Sequence, residues 1–572
     1  MAARLLCITV CLCLSLLVMV TPASLGQGEV PPLTADLILI NAQIWTGDPR
    51  QPTATALAAW QGRLIYVGDG RTARRFNGPG TKVIDAQGKL VVPGLHDSHA
   101  HILGAGLGLS RVQLKDAMDE AEFGRRLQAF DQKLPKDRWL LGGDWDHDRT
   151  FQGTLPTAAL VDKYVKDRPV FLRRYDGHMA LANTLALKLA GITAETPDPQ
   201  GGEIVRLAGG RLPSGILRDT AMGLIAGAKL IPSTSISEIA EAVKAALNVA
   251  REVGVTSLED MDGSDAATRS LLLRVYQDMA QRNELTLRIQ HYTPLADWRS
   301  LAERGVRAGY GSDWLRIGSL KGFVDGSLGS STAKMFQPYV HEPKNSGVYV
   351  TPPSRLQELC VGADQAGLAI AIHAIGDEGN GSVLDVYDRV AKQNPLWDRR
   401  FRIEHSQILN QQQYRRFAGQ KVIASMQPYH IIDDGRWAEG RIGTERCRNS
   451  YACRSLLDNG VTLAFGSDWP VAPLSPLLGI DAAVNRRTLD GKHPKGWFPE
   501  QSITVTEALT AYTRGSAYAS RQEKDKGTLT LGKLADFVIL SRNILAPEEK
   551  DHIADTQVMM TVVGGKIVFE RK

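Results

Sequence analysis

The sequence predicts an α/β protein: a TIM-like (β/α)8 barrel carrying a small β domain built from both chain ends. Three observations predict it. Eight short apolar runs, each bounded by turn residues, alternate with amphipathic stretches of helical period. Histidine, lysine and aspartate recur at the C-terminal ends of five of those runs, where barrel active sites lie. Residues 37–85 and 534–569 read instead as short strands joined by turns.

At 572 residues the chain is long enough for two sizeable units, and it shows no low-complexity tract or internal repeat. Its 67 Lys and Arg are scattered and barely exceed its 62 Asp and Glu, which excludes nucleic acid as a partner. Arg4, the apolar run Leu5 to Val20, and small residues around Ala23, Ser24 and Gly26 form a secretory signal peptide over residues 1–26. The run is short for a membrane span, so the mature protein is expected to be exported, periplasmic or secreted, with no stable span after cleavage. Three of the six cysteines lie in that leader. Cys360, Cys447 and Cys453 remain, which allows one bridge, Cys447 to Cys453, in an oxidising compartment but no disulfide framework.

Taken in order, Leu37-Ile38-Leu39-Ile40, the run Gly62 to Gly68 and Lys82-Val83-Ile84-Asp85 are strands without intervening helices. Leu534 to Leu540 and Val558 to Phe569 have the same texture. One composite β domain over residues 27–90 and 526–572 brackets a barrel over 91–525. Leu90-Val91-Val92 reads as the buried strand leading to Pro93-Gly94-Leu95-His96-Asp97-Ser98-His99-Ala100-His101. On a strand, residues i and i+2 share a face, so His99 and His101 can clamp a metal or merely satisfy local hydrogen bonds. Ser235 and Glu238 make a capping box for a helix ending near Gly254. Strands follow at Val255–Asp260, Leu287–Gln290, Ile317–Val324, Leu368–His373, Phe401–His405, Val422–Met426 and Val461–Phe465. With the His99 strand these make eight. Residues from about 109 to 229, with their own strand Pro169–Leu172, are then an insertion between the first two units.

Lys321, His373, His405 and Asp468 stand at or just past four of these strand ends, and the barrel brings them to one mouth with His99 and His101. Imidazole and carboxylate suit a borderline metal such as Zn2+, which lowers the pKa of water and polarises a carbonyl. A lysine ammonium has donors only and cannot be a ligand. Burial would leave Lys321 a neutral amine able to become a carbamate with carbon dioxide, whereas the structural alternative pairs it with Asp325. Gly142-Gly143-Asp144-Trp145-Asp146-His147-Asp148 reads as an exposed polar loop that could close over the mouth, or as a separate metal site. Asn380-Gly381-Ser382 matches a glycosylation sequon by chance.

The set Pro93 to His101, Lys321, His373, His405 and Ser467-Asp468 resembles the amidohydrolase superfamily. Asp176-Gly177-His178 with Ala182-Asn183, Asp325 to Gly329, His373 to Asp377, Gln427-Pro428-Tyr429-His430 and Gly532 to Asp536 are similar to its family 3 branch, which contains N-substituted formamide deformylase. One departure is Ser331, where an arginine is expected. The resemblance implies a distorted (β/α)8 barrel and a β-sandwich made from both termini. It implies His99, His101 and Asp468 on a buried divalent metal, His373 and His405 on a second, and carbamylated Lys321 between them. It further implies Asp468 as general base and then acid, and His178 and His430 as substrate-facing, although each of those two could simply be a capping or solvent-facing histidine.

The function expected is hydrolysis of C–N bonds in small linear amides or N-acyl and N-formyl amines through a metal-bound hydroxide. An esterase, lactonase or carbamate hydrolase would use the same centre, and a non-catalytic envelope protein could keep the barrel for binding. The reading leaves room for a homodimer.

Overall fold

Eight parallel strands form one continuous sheet whose neighbours follow chain order, in a computed structural model that describes residues 33–572 except 110, 135–137, 228–229, 232–233 and 263–264. The leader lies outside the described residues. The strands are Leu95–Ala100, Val255–Asp260, Arg288–Pro294, Leu315–Phe323, Ala369–Ala374, Arg402–His405, Ile423–Met426 and Leu463–Phe465. Ala100 bridges Trp469 in parallel, and Asp468 N donates to His99 O at 2.7 Å, so the segment after the eighth strand closes the ring on the first. Gly466 makes that closure close: a Cβ there would sit 2.5 Å from His99 N.

Helices cover the outside as the apolar periods require. Ile236–Glu252 starts at the Ser235–Glu238 capping box and buries Ile239, Val243, Ala246, Leu247 and Ala250. Those residues pack with Val255, Leu258 and Ile289 of the barrel strands. Among the described residues no helix is long and apolar enough to cross a membrane.

Between the first strand and that helix stands a separate six-stranded sheet. Its order is Gly202–Arg206, Pro213–Asp219, Met179–Ala182, Val170–Arg174, Leu140–Trp145 and Val112–Gln113. The run Pro169–Leu172 therefore belongs to this sheet and not to the barrel.

The chain ends meet in two further sheets. Leu37–Ile40 pairs with Ala56–Trp60 and Lys82–Asp85, while Phe537–Leu540 pairs antiparallel with Leu90–Pro93. The sheets face each other across Leu37, Leu39, Ile84, Val91, Phe537 and Val562. Leu90-Val91-Val92 is thus a strand of this β unit, and the histidine strand starts afresh at Leu95. An apolar run shows burial but not which sheet receives it.

Other expectations are corrected. Cys360, Cys447 and Cys453 are buried and free, with no Cys447–Cys453 bridge. Residues 142–148 are not an exposed loop. Asp146 and His147 are buried, and Asp148 is bound by Arg174 at 3.0 Å and Arg441 at 3.1 Å. His147 Nδ1 accepts from Arg174 and its Nε2 faces Arg441, so arginines already occupy both nitrogens that a metal would need. Asn380 is buried, and its amide donates to the carbonyl of Gly376 at 2.9 Å.

The β unit is fastened to the barrel by Arg288, whose Nε and Nη2 bond the two oxygens of Asp536 at 2.7 and 2.8 Å, with both side chains almost fully buried. Asp536→Ala would strand that guanidinium. It is expected to lower stability by about 3–5 kcal/mol, read as a reduced urea midpoint of the barrel and β-unit transition; an unchanged midpoint would show that the joint carries no stability.

Candidate metal centre and its cavity

The first, fourth, fifth, sixth and eighth strands end around one cavity of about 910 Å3. All six residues expected as ligands line it: His99, His101, Lys321, His373, His405 and Asp468. Asp468 Oδ1 lies 3.1 Å from His101 Nε2 and 3.5 Å from His99 Nε2. Lys321 Nζ is 3.3 Å from His99 Nε2. The His405 ring lies 4.8 Å from that of His99 and 4.5 Å from that of His373, measured between centroids. Lys321 does not pair with Asp325, which instead accepts from the backbone N–H groups of Lys334, Ile375 and Gly376.

Three of the four rings are each aimed by a hydrogen-bond partner on the far side. His99 Nδ1 donates to Glu404 at 2.6 Å, which leaves the Nε2 lone pair facing Asp468 and Lys321. His405 Nδ1 donates to Gln427 Oε1 at 2.8 Å, and His373 Nε2 to the Gly326 carbonyl at 3.0 Å. Glu404 is held in turn by Arg402, whose Nε lies 2.6 Å from it and whose Nη1 lies 2.6 Å from Glu259. Asp97 accepts from His99 N and Ser467 N, binding the first strand to the turn that carries Asp468.

His405 and Asp468 both adopt left-handed backbone, at φ +74° and +60°. Few L-residues do so unless the surroundings enforce it, and such strain concentrates at functional sites.

Burial sets the charges. It drives His99, His373 and His405 well below the ordinary imidazole value, so all three are neutral with a lone pair available. Burial also pulls Lys321 down to about 8. At Asp468 burial acts the other way, yet His99 and His101 hold the carboxylate far below its usual range. At His101 burial is outweighed by Asp468, which raises its pKa; with it, three neutral imidazoles, an ionised carboxylate and a weakly basic amine within about 3–5 Å fit a divalent metal.

The two remaining histidines face the same cavity from different sides. His178 Nδ1 donates to Asp219 at 2.7 Å; burial opposes its charge, but Asp219 raises its pKa. His430 is lowered by burial, and its Nδ1 accepts from Gln407 at 3.1 Å. The proton of His430 is then on Nε2, which is buried and has no partner among the described residues. Ser331, at the expected arginine, sits at φ +56° and accepts from Arg441 at 3.1 Å.

Sequence reasoning missed Glu404, Arg402, Gln427 and Asp219. Arg402 and Glu404 could have been found, as an i, i+2 charged pair inside a strand otherwise read as buried.

A barrel whose strand ends deliver this donor set to one cavity is a metal-dependent hydrolase in kind. The chain belongs to the amidohydrolase family, whose profile matches residues 82–569, and within it to the family 3 branch. It is 39% identical over 544 residues to Protein LONG AFTER FAR-RED 3 of Arabidopsis thaliana, covering 94% of this chain and 92% of that one. It is 28% identical over 552 residues to N-substituted formamide deformylase of Arthrobacter pascens, covering 94% and 98%. A crystal structure of an uncharacterized metal-dependent hydrolase from Pyrococcus horikoshii superposes with a TM-score of 0.71 at 29% identity, covering 90% of this chain and 99% of that one.

Because Glu404 fixes which nitrogen of His99 faces the donors, Glu404→Gln is expected to weaken divalent-metal affinity about 10- to 100-fold. Competition with a chromophoric chelator reads this, with far-UV circular dichroism as the control for folding. Unaltered affinity would remove Glu404 from the centre.

Proposed function

We propose that this protein is an exported hydrolase of C–N bonds in linear amides or N-acyl and N-formyl amines. The observation that carries the reading is the meeting of His99, His101, Lys321, His373, His405 and Asp468 at one mouth, with three of the imidazoles held neutral. The 94% coverage by a relative named for deformylation supports the choice of bond.

His99, His101 and Asp468 would hold one divalent cation, His373 and His405 a second, with Lys321 between them. Zn2+ suits these donors and, when bound, supplies carbonyl polarisation and a lowered pKa for water. Lys321 Nζ adds to carbon dioxide: an N–C bond forms, one N–H proton leaves to solvent, and an anionic carbamate replaces the amine.

Asp468, ionised, accepts a proton at a carboxylate oxygen from the attacking water. It then returns that proton to the leaving nitrogen as the C–N bond breaks. His178, oriented by Asp219, and His430, with its free Nε2–H, donate to the substrate oxygen as negative charge develops there. The walls from the insertion, Leu141 and Phe171 among them, keep bulk water from the reacting bond.

Plasma mass spectrometry of protein purified without chelators is expected to find about two divalent ions per chain, with turnover abolished by their removal. Asp468→Asn is expected to reduce kcat about 100- to 10,000-fold with the fold intact. Metal-free protein that hydrolyses amides at full rate, or an Asp468→Asn variant that keeps turnover, would overturn the mechanism.

Export rests on the leader, Arg4 and the run Leu5 to Val20. N-terminal sequencing of protein from the extracytoplasmic fraction is expected to start near Gln27; a chain beginning at Met1 in the cytoplasm would refute it.

A further inference from the structure

The insertion puts two guanidiniums into the wall of the cavity with no partner for either among the described residues. Arg111 and Arg173 both line the cavity. Arg173 is exposed and Arg111 half-buried by accessible surface. Both are nevertheless surrounded by protein closely enough that burial lowers their pKa, as in the wall of a deep hollow. Neither side chain makes a hydrogen bond or ion pair with any described residue. Arg174, the other arginine that lines the cavity, is engaged by Asp148 and Asp176.

The local backbone is arranged around the pair. Val112–Gln113 pairs with Gly142 and Gly143, and Gly143 pairs in turn with Arg173. Arg111, one residue before the paired Val112, and Arg173 therefore stand on the two strands that flank the glycines, their backbones at least two strand spacings, about 10 Å, apart. Gly142 and Gly143 sit at φ +115° and +112°, conformations that side chains avoid. A Cβ on Gly142 would stand 2.8 Å from the Arg111 Cβ, and one on Gly143 would stand 2.9 Å from Arg173 O. The cavity surface beside Arg111 is thus kept bare at Gly142, while Gly143 is buried beneath it. Asp144 acts on both charges, Glu238 on Arg111 and Asp262 on Arg173, but among the described residues none of these carboxylates comes within ion-pair distance of either guanidinium. Leu103, Leu107, Leu141, Phe171 and Ile231 supply an apolar wall in the same cavity.

A guanidinium in a cavity wall with no carboxylate on it keeps its donors free for a ligand, and its planar fork fits a carboxylate. We infer that the substrate is an amide bearing a carboxylate, with an apolar body against the leucines and its anionic end bound by Arg173 and Arg111. This rests on the hydrolase reading for the amide, but the anion site stands on the two arginines alone. Substrate classes of this kind are N-acyl amino acids and monoamides of dicarboxylic acids. Arg111 and Arg173 are then specificity residues, remote from the bond that breaks.

The test pairs each acid with a neutral partner of the same shape. N-formyl, N-acetyl and N-benzoyl derivatives of leucine and phenylalanine are compared with the matching amino alcohols, and N-substituted succinamic acids with N-substituted butyramides. On the metal-loaded protein, kcat/KM for the preferred acids is expected to exceed that of their partners at least tenfold. Arg173→Gln, and independently Arg111→Gln, should collapse that ratio toward one through KM. The second readout needs no turnover: the acids should raise the thermal midpoint of the wild type more than the alcohols do, and this difference should vanish in Arg173→Gln. Hydrolysis of neutral partners as fast as acids would overturn the inference and leave the hydrolase reading standing. Arginine-dependent binding of acids with no hydrolysis of any amide would do the reverse. An acid preference that survives both substitutions, or the absence of any difference between acids and neutral partners in either readout, also overturns it.

Discussion

The hydrogen bond from His99 Nδ1 to Glu404 is the constraint on which the centre depends. It fixes the tautomer of the ring that faces both Asp468 and Lys321, and it does so from the buried side of that ring. Glu404 alone would be an uncompensated buried anion. Arg402 answers it and Glu259 together, and Arg402 also reaches the Ser98 carbonyl and Ser425 Oγ at 2.9 Å each. Tyr292 closes the network with a 2.6 Å bond to Glu259. Apolar packing could fill this volume as well, but it could not orient a histidine. The polar interior thus serves to position the donors.

The same burial decides the protonation of the mouth. Imidazoles removed from water stay neutral, a lysine removed from water becomes a weaker base, and one carboxylate flanked by histidines stays ionised. Three neutral imidazoles and an ionised carboxylate suit a doubly charged cation, which would displace the protons that Asp468 favours on His101 and that Lys321 still holds. The left-handed backbone at His405 and Asp468 belongs to this picture. Those conformations persist because Asp97 bridges the first strand to Ser467 and because ladder bonds hold the sixth strand on both sides.

Much of this was legible in the sequence. The eight strand runs could be counted because each is a short apolar segment closed by a turn, and the donors could be found because they end those runs. What was hidden depends on distance along the chain. Leu90-Val91-Val92 is equally apolar whether its neighbour is Val255 or Val538, so its sheet could not be read locally. The acidic stretch Asp144 to Asp148 looked exposed because its neutralising partners, Arg436 and Arg441, lie almost three hundred residues away. Gln427 and Asp219 orient His405 and His178 from other strands; Gln427 stands in a recognisable motif, but neither residue's histidine partner could be read locally.

The joining of the two chain ends has a consequence for how the molecule is made. Some 450 residues separate Leu90 from its pairing partner Leu540. As the chain is synthesised, the barrel strands meet neighbours that are near in sequence, whereas the edge of Leu90–Pro93 waits bare for the final strands. The β unit is a latch that can close only after every residue of the donor set has been made. A chain cut short before Phe537 would keep every cavity residue and still present an open strand edge, a template for sticking to another copy.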